Sequence, residues 1–263
     1  MLIVEGAADE LIFEPLCAHG QQQVFAAGNR DLVEQLLRHL QQHPIEGCDC
    51  LYLVDCDGYG KTTDLKNAKN LLVTETCDME ADLVQLGAAR RLARRYMGSD
   101  ADSEDIVSRA CALALPLSIV RRAAFQASVS MRKNRHQLRL ADLPDLQLVA
   151  WEQKESLLGE VLASVASELE WSKDEEEKVR SKLDDVSTDF GRVCLGKDAL
   201  DALFRLLRQE GNGEIRGWNL SYFYKALASE LQPADFEDWE VGRRLRAWEK
   251  RLGHELVKDS DSV

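Results

Sequence analysis

The chain has 263 residues, of which 45% are hydrophobic and 30% charged, and it carries a net charge of −13. This is the composition of a globular protein able to bury one large core or two modest ones. The acidic balance excludes an indiscriminate nucleic-acid binder, whose affinity comes from neutralising phosphates, and no apolar run approaches the roughly 20 residues of a membrane helix.

The predicted elements begin at once. Residues 1–5 are apolar up to Glu5 and read as a strand with no leader before it, because the basic-then-apolar plan of a signal peptide is absent. Ala7-Ala8-Asp9-Glu10 opens a helix expected to reach about His19, with Pro15 kinking or shortening it and Gly20 suited to its end. Residues 24–27 are a second short strand. Gly28-Asn29 caps a helix through about Gln42, with Leu32, Val33, Leu36, Leu37 and Leu40 on one face. Residues 50–54 are the third strand and run straight into Asp55-Cys56-Asp57-Gly58. Residues 71–74 are the fourth, and Asp78 is a good N-cap for a helix over 79–97. The alternation predicts a small parallel α/β unit over residues 1–97.

Beyond residue 97 the strand signal nearly vanishes. Residues 103–135 are helical in composition, with Pro116 expected to break them in two. One or two short strands are expected within 138–151. Helical periodicity marks 154–169, 172–186, 198–209, 220–231 and 236–252, and Gly211-Asn212-Gly213 is a loop. The expected fold class is therefore α/β: a parallel-sheet domain over 1–97 followed by a mainly helical domain over 98–263.

The seven cysteines are an odd number in a chain too large to need staples, so they read as reduced thiols of a cytoplasmic protein. Cys48-x-Cys50 is a weak zinc signal with no CxxC or clustered His beside it. Charge is unevenly spread. Residues 90–139 hold eleven Lys/Arg against four Asp/Glu, and residues 152–189 hold twelve acids against five bases. The basic island can hold a phosphate backbone, or it can be a solvated helix face paired with the acidic segment.

Acids cluster at predicted strand ends. Strand one delivers Glu5, with Asp9 a helical turn further on. Strand three delivers Asp55 and Asp57, and strand four is followed by Glu80. The carboxyl ends of parallel strands share one edge, where ligands bind. Five carboxylates gathered there repel one another unless cations neutralise them. Singly, each has a plain reading, as a turn former or as a first-turn charge favoured by the helix dipole. Together they favour divalent ions bound by hard oxygen donors.

Ile3-Val4-Glu5-Gly6 with Asp9, then an apolar run into Asp55-x-Asp57, then Asp78-x-Glu80, resembles a Toprim domain. The pattern is most similar to stand-alone Toprim proteins of the OLD (overcoming lysogenization defect) nuclease type, including those paired with ABC-type ATPases in anti-phage defence. The resemblance covers about the first 95 residues and continues weakly at Leu195-Gly196-Lys197-Asp198. It implies a two-metal nuclease using Mg²⁺ or Mn²⁺, with DNA or RNA (tRNA included) as substrate. Glu5 would act near the reacting phosphate and bind metal, Asp55 and Asp57 would be ligands, and Asp9 and Glu80 would complete the set. Lys197 would stabilise charge on the phosphate. The chain departs from full-length OLD nucleases in having no fused ATPase domain, so a separate ATPase partner is expected, with a homodimer as one active form.

Rival readings stand beside this. Asp55-Cys56-Asp57-Gly58 also imitates the motif of haloacid-dehalogenase-like phosphatases, which would need Thr74 to bind phosphate and a later acidic pair on a strand. Residues 55–62 fall one glycine short of a P-loop, with Asp55 where that glycine belongs. Lys61-Thr62 then read as part of a mobile loop, 58–69, over the metal edge. A third reading is a non-catalytic Toprim interaction module. It would use aromatics such as Trp218, Tyr222, Phe223, Tyr224, Trp239 and Trp248, which at this spacing are more often core.

Overall fold

The computed structural model of the chain describes residues 1–14, 17, 24–56, 65, 68–97, 103–133, 136–138, 140, 143, 154–253 and 256. Within them the strands are β1 (Leu2–Val4), β2 (Val24–Ala26), β3 (Leu51–Val54), β4 (Leu71–Val73), β5 (Arg132–Lys133) and β6 (His136–Gln137). The helices are α1 (Ala7–Phe13), α2 (Arg30–Gln42), α3 (Met79–Gln85), α4 (Gly87–Met97), α5 (Ser103–Gln126) and α6 (Lys154–Glu168). They continue with α7 (Lys173–Arg180), α8 (Phe190–Val193), α9 (Gly196–Glu210), α10 (Leu220–Ser229), α11 (Asp235–Asp238) and α12 (Glu240–Leu252). No helix among the described residues is long and apolar enough to cross a membrane.

Four strands form one parallel sheet in the order β2-β1-β3-β4. Because side chains alternate across a strand, Ile3, Tyr52 and Leu71, which sit in register, share one face with Cys50 and Val54. They pack there with Val33 and Leu37 of α2. Leu2, Val4, Leu51, Leu53 and Leu72 are equally buried, so the strands are covered on both sides. That is why they read as continuous apolar runs rather than alternating ones. Each such side chain contributes about 2 kcal/mol on leaving water.

The chain divides into two compact units, and the first is discontinuous: Met1–Leu92 together with Gly217–Val263. The carboxy-terminal helices therefore belong with the sheet, whereas the sequence reading grouped everything after residue 97 into one helical domain. Several contacts bind this unit. α10 packs on α1, and α12 packs on β4. Phe13 stacks on Trp239 at 5.9 Å, with Phe236 edge-on to both. Arg91 bonds the Glu230 carbonyl and the Asp235 carboxylate, and Arg244 bonds the Leu71 carbonyl at 2.9 Å.

The second unit, Ala93–Arg216, is built on α5, which packs against α6, α7, α8 and most extensively α9. β5 and β6 form a two-stranded antiparallel ladder. A buried ion pair, Arg121 Nη1 to Asp198 Oδ2 at 2.5 Å, joins α5 to the start of α9. Asp198 also accepts from the Leu140 N–H at 3.2 Å.

Several elements differ from expectation. α5 is continuous through Pro116. The ring removes one N–H, but residues 114–120 are all buried, and packing holds the helix together across the lost bond. The helix expected over 79–97 is two, because Leu86 is extended (φ −76°, ψ 164°). The break falls at Gly87, where an added Cβ would meet Arg91 Nη1 at 2.6 Å and Asp235 Oδ1 at 2.7 Å, so those side chains would have to shift. Residues 236–252 divide at Trp239, also extended, and residues 172–186 stop as an α-helix at Arg180. α1 ends at Phe13, shortened ahead of Pro15. Of the span 138–151, only Leu138, Leu140 and Leu143 are described, and no strand is found at them. None of the seven cysteines, all among the described residues, forms a disulfide.

Candidate metal centre

The parallel sheet brings the carboxyl ends of β1, β3 and β4 to one edge. β1 ends at Val4, so Glu5 stands on that edge, and its Oε1 accepts the Asp55 N–H at 2.8 Å. Asp55 follows β3 directly, and its Oδ1 accepts the Met79 N–H of α3 at 2.9 Å. These two bonds link the ends of β1 and β3 to the start of α3. Arg30, whose Nη1 donates to the Asp55 carbonyl at 3.0 Å and whose Nε donates to Glu34 at 2.9 Å, braces it from α2.

Asp9, in the first turn of α1, accepts the Gly6 N–H at 2.9 Å. It thereby satisfies one orphan donor of the helix start. Asp78 caps α3 through the Ala81 N–H at 2.8 Å. Glu80 accepts from the Tyr224 hydroxyl at 3.2 Å. Asp9, Asp78 and Glu80 are all buried, Glu80 to 2% exposure.

The electrostatic consequence falls on Asp55. Burial first, then the negative charges of Asp78, Asp9, Glu5 and Glu80, push its carboxyl up to about 10. A carboxylate so disfavoured in its charged form calls for a proton or a cation beside it. The donors are hard oxygens, which suit Mg²⁺, Mn²⁺ or Ca²⁺ rather than soft ions. The donor chemistry therefore fits a divalent ion. The ligand geometry is not closed, since among the described residues no three His, Cys, Asp or Glu side chains stand close enough to hold one. Glu5, Asp55 and Asp9 each spend a carboxylate oxygen on a backbone N–H instead.

Of the site residues expected from sequence, Glu5, Asp9, Asp55 and Glu80 come to this edge. Asp57 lies outside the described residues, as do Lys61 and Thr62 of the loop reading. Lys197 belongs to the second unit, exposed in the first turn of α9 beside the buried Asp198. Two contributors were missed. Asp78 was read as a cap and as part of the Toprim-like pattern but not as a site residue, although it is the neighbouring charge acting most strongly on Asp55. Tyr224 sits 144 residues from Glu80, and nothing local in its segment points there. Asp82, beside them in sequence, is structural. It accepts from the Thr76 N–H at 3.0 Å, from the Thr76 hydroxyl, and from Trp239 Nε1 at 2.8 Å.

No protein-family model matches this chain, and no curated protein sequence matches it significantly.

Proposed function

We propose that the chain is a divalent-metal-dependent phosphodiesterase of the Toprim type that cleaves DNA or RNA. The observation that supports this reading is the gathering of Glu5, Asp9, Asp55, Asp78 and Glu80 at one sheet edge, with Asp55 driven up to about 10 by the others and by burial. The chemistry supplied there by bound Mg²⁺ or Mn²⁺ is neutralisation of the phosphodiester charge and activation of water. Glu5, Asp9, Asp55 and Glu80, with Asp57, are the ligands in this reading. Glu5 reaches the same point from β1, nearest the reacting phosphate. Lys197 is proposed to stabilise phosphate charge. Control by a separate ABC-type ATPase, a cytoplasmic location and a role in anti-phage defence follow from the resemblance to OLD-type nucleases and belong to the same proposal.

The phosphatase reading is weaker because Thr74, which it needs facing a phosphate, is buried. Its hydroxyl accepts the Cys56 N–H at 2.8 Å and donates to the Thr76 carbonyl at 3.0 Å. The interaction-module reading is weakened by the burial of Phe223, Trp239 and Trp248.

The test is cleavage of plasmid DNA and total tRNA with Mg²⁺ or Mn²⁺, comparing wild type with Glu5→Ala and Asp55→Ala. Both substitutions should abolish cleavage while the protein stays folded by circular dichroism. Wild-type activity in either variant would sink the assignment. Release of phosphate from small monoesters would favour the phosphatase instead. A wild type silent both alone and together with a candidate ABC-type ATPase partner would remove the nuclease reading.

A further inference from the structure

At the amino edge of the same sheet, opposite Asp55, lies a pocket of about 280 Å³ in the first unit, whose lining includes Cys48, Cys50, Tyr52, Lys69, Trp248 and Arg251. Cys50 leads into β3 and Asp55 leaves it, so the two edges stand roughly 16 Å apart at strand spacing. The Cys48 and Cys50 sulfurs are 3.6 Å apart and in hydrogen-bond contact. Cys48 is exposed and Cys50 is buried behind it. The short connection that carries them is pinned at both sides. The amino group of Met1 donates to the Asp49 carbonyl at 2.9 Å, and Asn70 donates to the Cys50 carbonyl at 3.3 Å. Gly47, with φ +74°, turns the chain into it.

A second feature points into the same space. Tyr52 is 1% exposed, and its hydroxyl interacts with the Cys50 thiol but makes no well-formed hydrogen bond among the described residues. A buried hydroxyl without a well-formed hydrogen bond is costly, so it is poised to bond a small polar guest. Burial and the neighbouring thiols hold the phenol well above its ordinary value, so it remains a donor. Lys69 and Arg251 add positive charge at the same pocket.

We propose that Cys48 and Cys50 are a peroxide-reactive dithiol that closes reversibly to an intrachain disulfide. In the first step the exposed Cys48 sulfur attacks a hydroperoxide. An S–O bond forms, the O–O bond breaks, and the departing oxygen takes the proton that the Cys48 thiol gives up and leaves as an alcohol or water, with the Tyr52 hydroxyl of the same pocket available to hydrogen-bond it. In the second step the Cys50 sulfur attacks the Cys48 sulfenic acid. The S–S bond forms, the S–O bond breaks, and water leaves with the Cys50 proton. Two thiols lose two electrons in all, and the hydroperoxide gains them. The order follows exposure, and it agrees with the Cys50 thiol being pushed up to about 11 by burial and by Cys48, which leaves Cys50 the poorer first nucleophile. The separation suits closure, because the sulfurs need to approach by only about 1.6 Å to reach disulfide length. The proposal is independent of the metal reading.

The test treats the reduced full-length protein with stoichiometric hydrogen peroxide, then alkylates it and maps the peptides. The expected result is a peptide holding both cysteines that has lost two hydrogens, resists alkylation at each, and recovers both thiols with a dithiol reductant. Cys50→Ser should leave Cys48 as a sulfenic acid trapped by a cyclic 1,3-dione, and Cys48→Ser should leave Cys50 reduced. The proposal is overturned if both cysteines alkylate fully after peroxide. It is equally overturned if Cys48 links to another chain or to a different cysteine, or if Cys50→Ser yields no trapped adduct.

Discussion

The hydroxyl of Tyr224 donates to Glu80 Oε1 at 3.2 Å, joining α10 to the acidic edge across 144 residues of chain. It ties a carboxy-terminal helix to a charge buried at the carboxyl edge of an amino-terminal sheet.

Tyr224→Phe removes that donor and little volume. The expected loss of folding stability is about 1 kcal/mol, the typical net value of one hydrogen bond. Under the proposed metal reading, affinity for Mn²⁺ should fall by about 10-fold, because the bond orients a ligand. Urea unfolding and calorimetric Mn²⁺ titration measure the two separately. Unchanged values in both would show that the contact orients nothing.

Asp55 makes the metal-free protein pH-sensitive. Its carboxyl rises from an ordinary 3.8 to about 10 in the fold, so between those values the native state holds a proton that the unfolded chain has lost. Stability therefore falls as pH rises through that window, being greatest at its acid end. A thermal melt in chelator should give a lower midpoint at pH 9 than at pH 6. Asp55→Asn, which carries no titrating proton, should flatten the difference. An equal pH dependence in the variant would assign the effect elsewhere.

The Arg121–Asp198 pair tests what the Leu195–Asp198 segment is for. Both side chains are nearly inaccessible, at 3% and 2%, so Asp198→Ala strands a buried guanidinium. The expected cost is about 3–5 kcal/mol by urea denaturation. Lys197→Ala, at an exposed neighbour, should stay within about 0.5 kcal/mol. Any loss of cleavage in Lys197→Ala would then report on chemistry rather than on folding.

Gly242 is required by the break between α11 and α12. A Cβ there would lie 2.4 Å from the Phe236 carbonyl oxygen and 2.7 Å from its Cα, and backbone cannot rotate aside as a side chain can. Gly242→Ala should destabilise by about 1–3 kcal/mol or more, read as a fall in the urea midpoint. A neutral effect would mean that α12 can shift on α11 without loss.

The first four strands and the helix caps at Asn29 and Asp78 were legible because their signals are local: apolar runs ending in turn residues, and side chains that bond N–H groups three positions on. Parallel pairing then followed from the alternation, and with it the convergence of Glu5, Asp9, Asp55 and Glu80 on one edge. The helix breaks at Leu86 and Trp239 were not legible. Gly87 and Gly242 look like tolerable helix glycines until the atoms they must avoid, on Arg91, Asp235 and Phe236, are in place. Pro116 misled in the opposite direction, since its intrinsic cost is outweighed by burial along α5.

By itself the sequence determined which residues form the four parallel strands and which acids follow their ends, and therefore that one sheet edge is crowded with negative charge. Periodicity and strand polarity suffice for that, because they depend on neighbours along the chain. Only the tertiary structure decided that residues 217–263 join the sheet, that Tyr224 reaches Glu80, that Trp239 holds Asp82, and that Asp198 is committed to Arg121. Those contacts join residues 77 to 157 positions apart, and which buried polar atoms find one another is settled by packing, after the apolar faces have met.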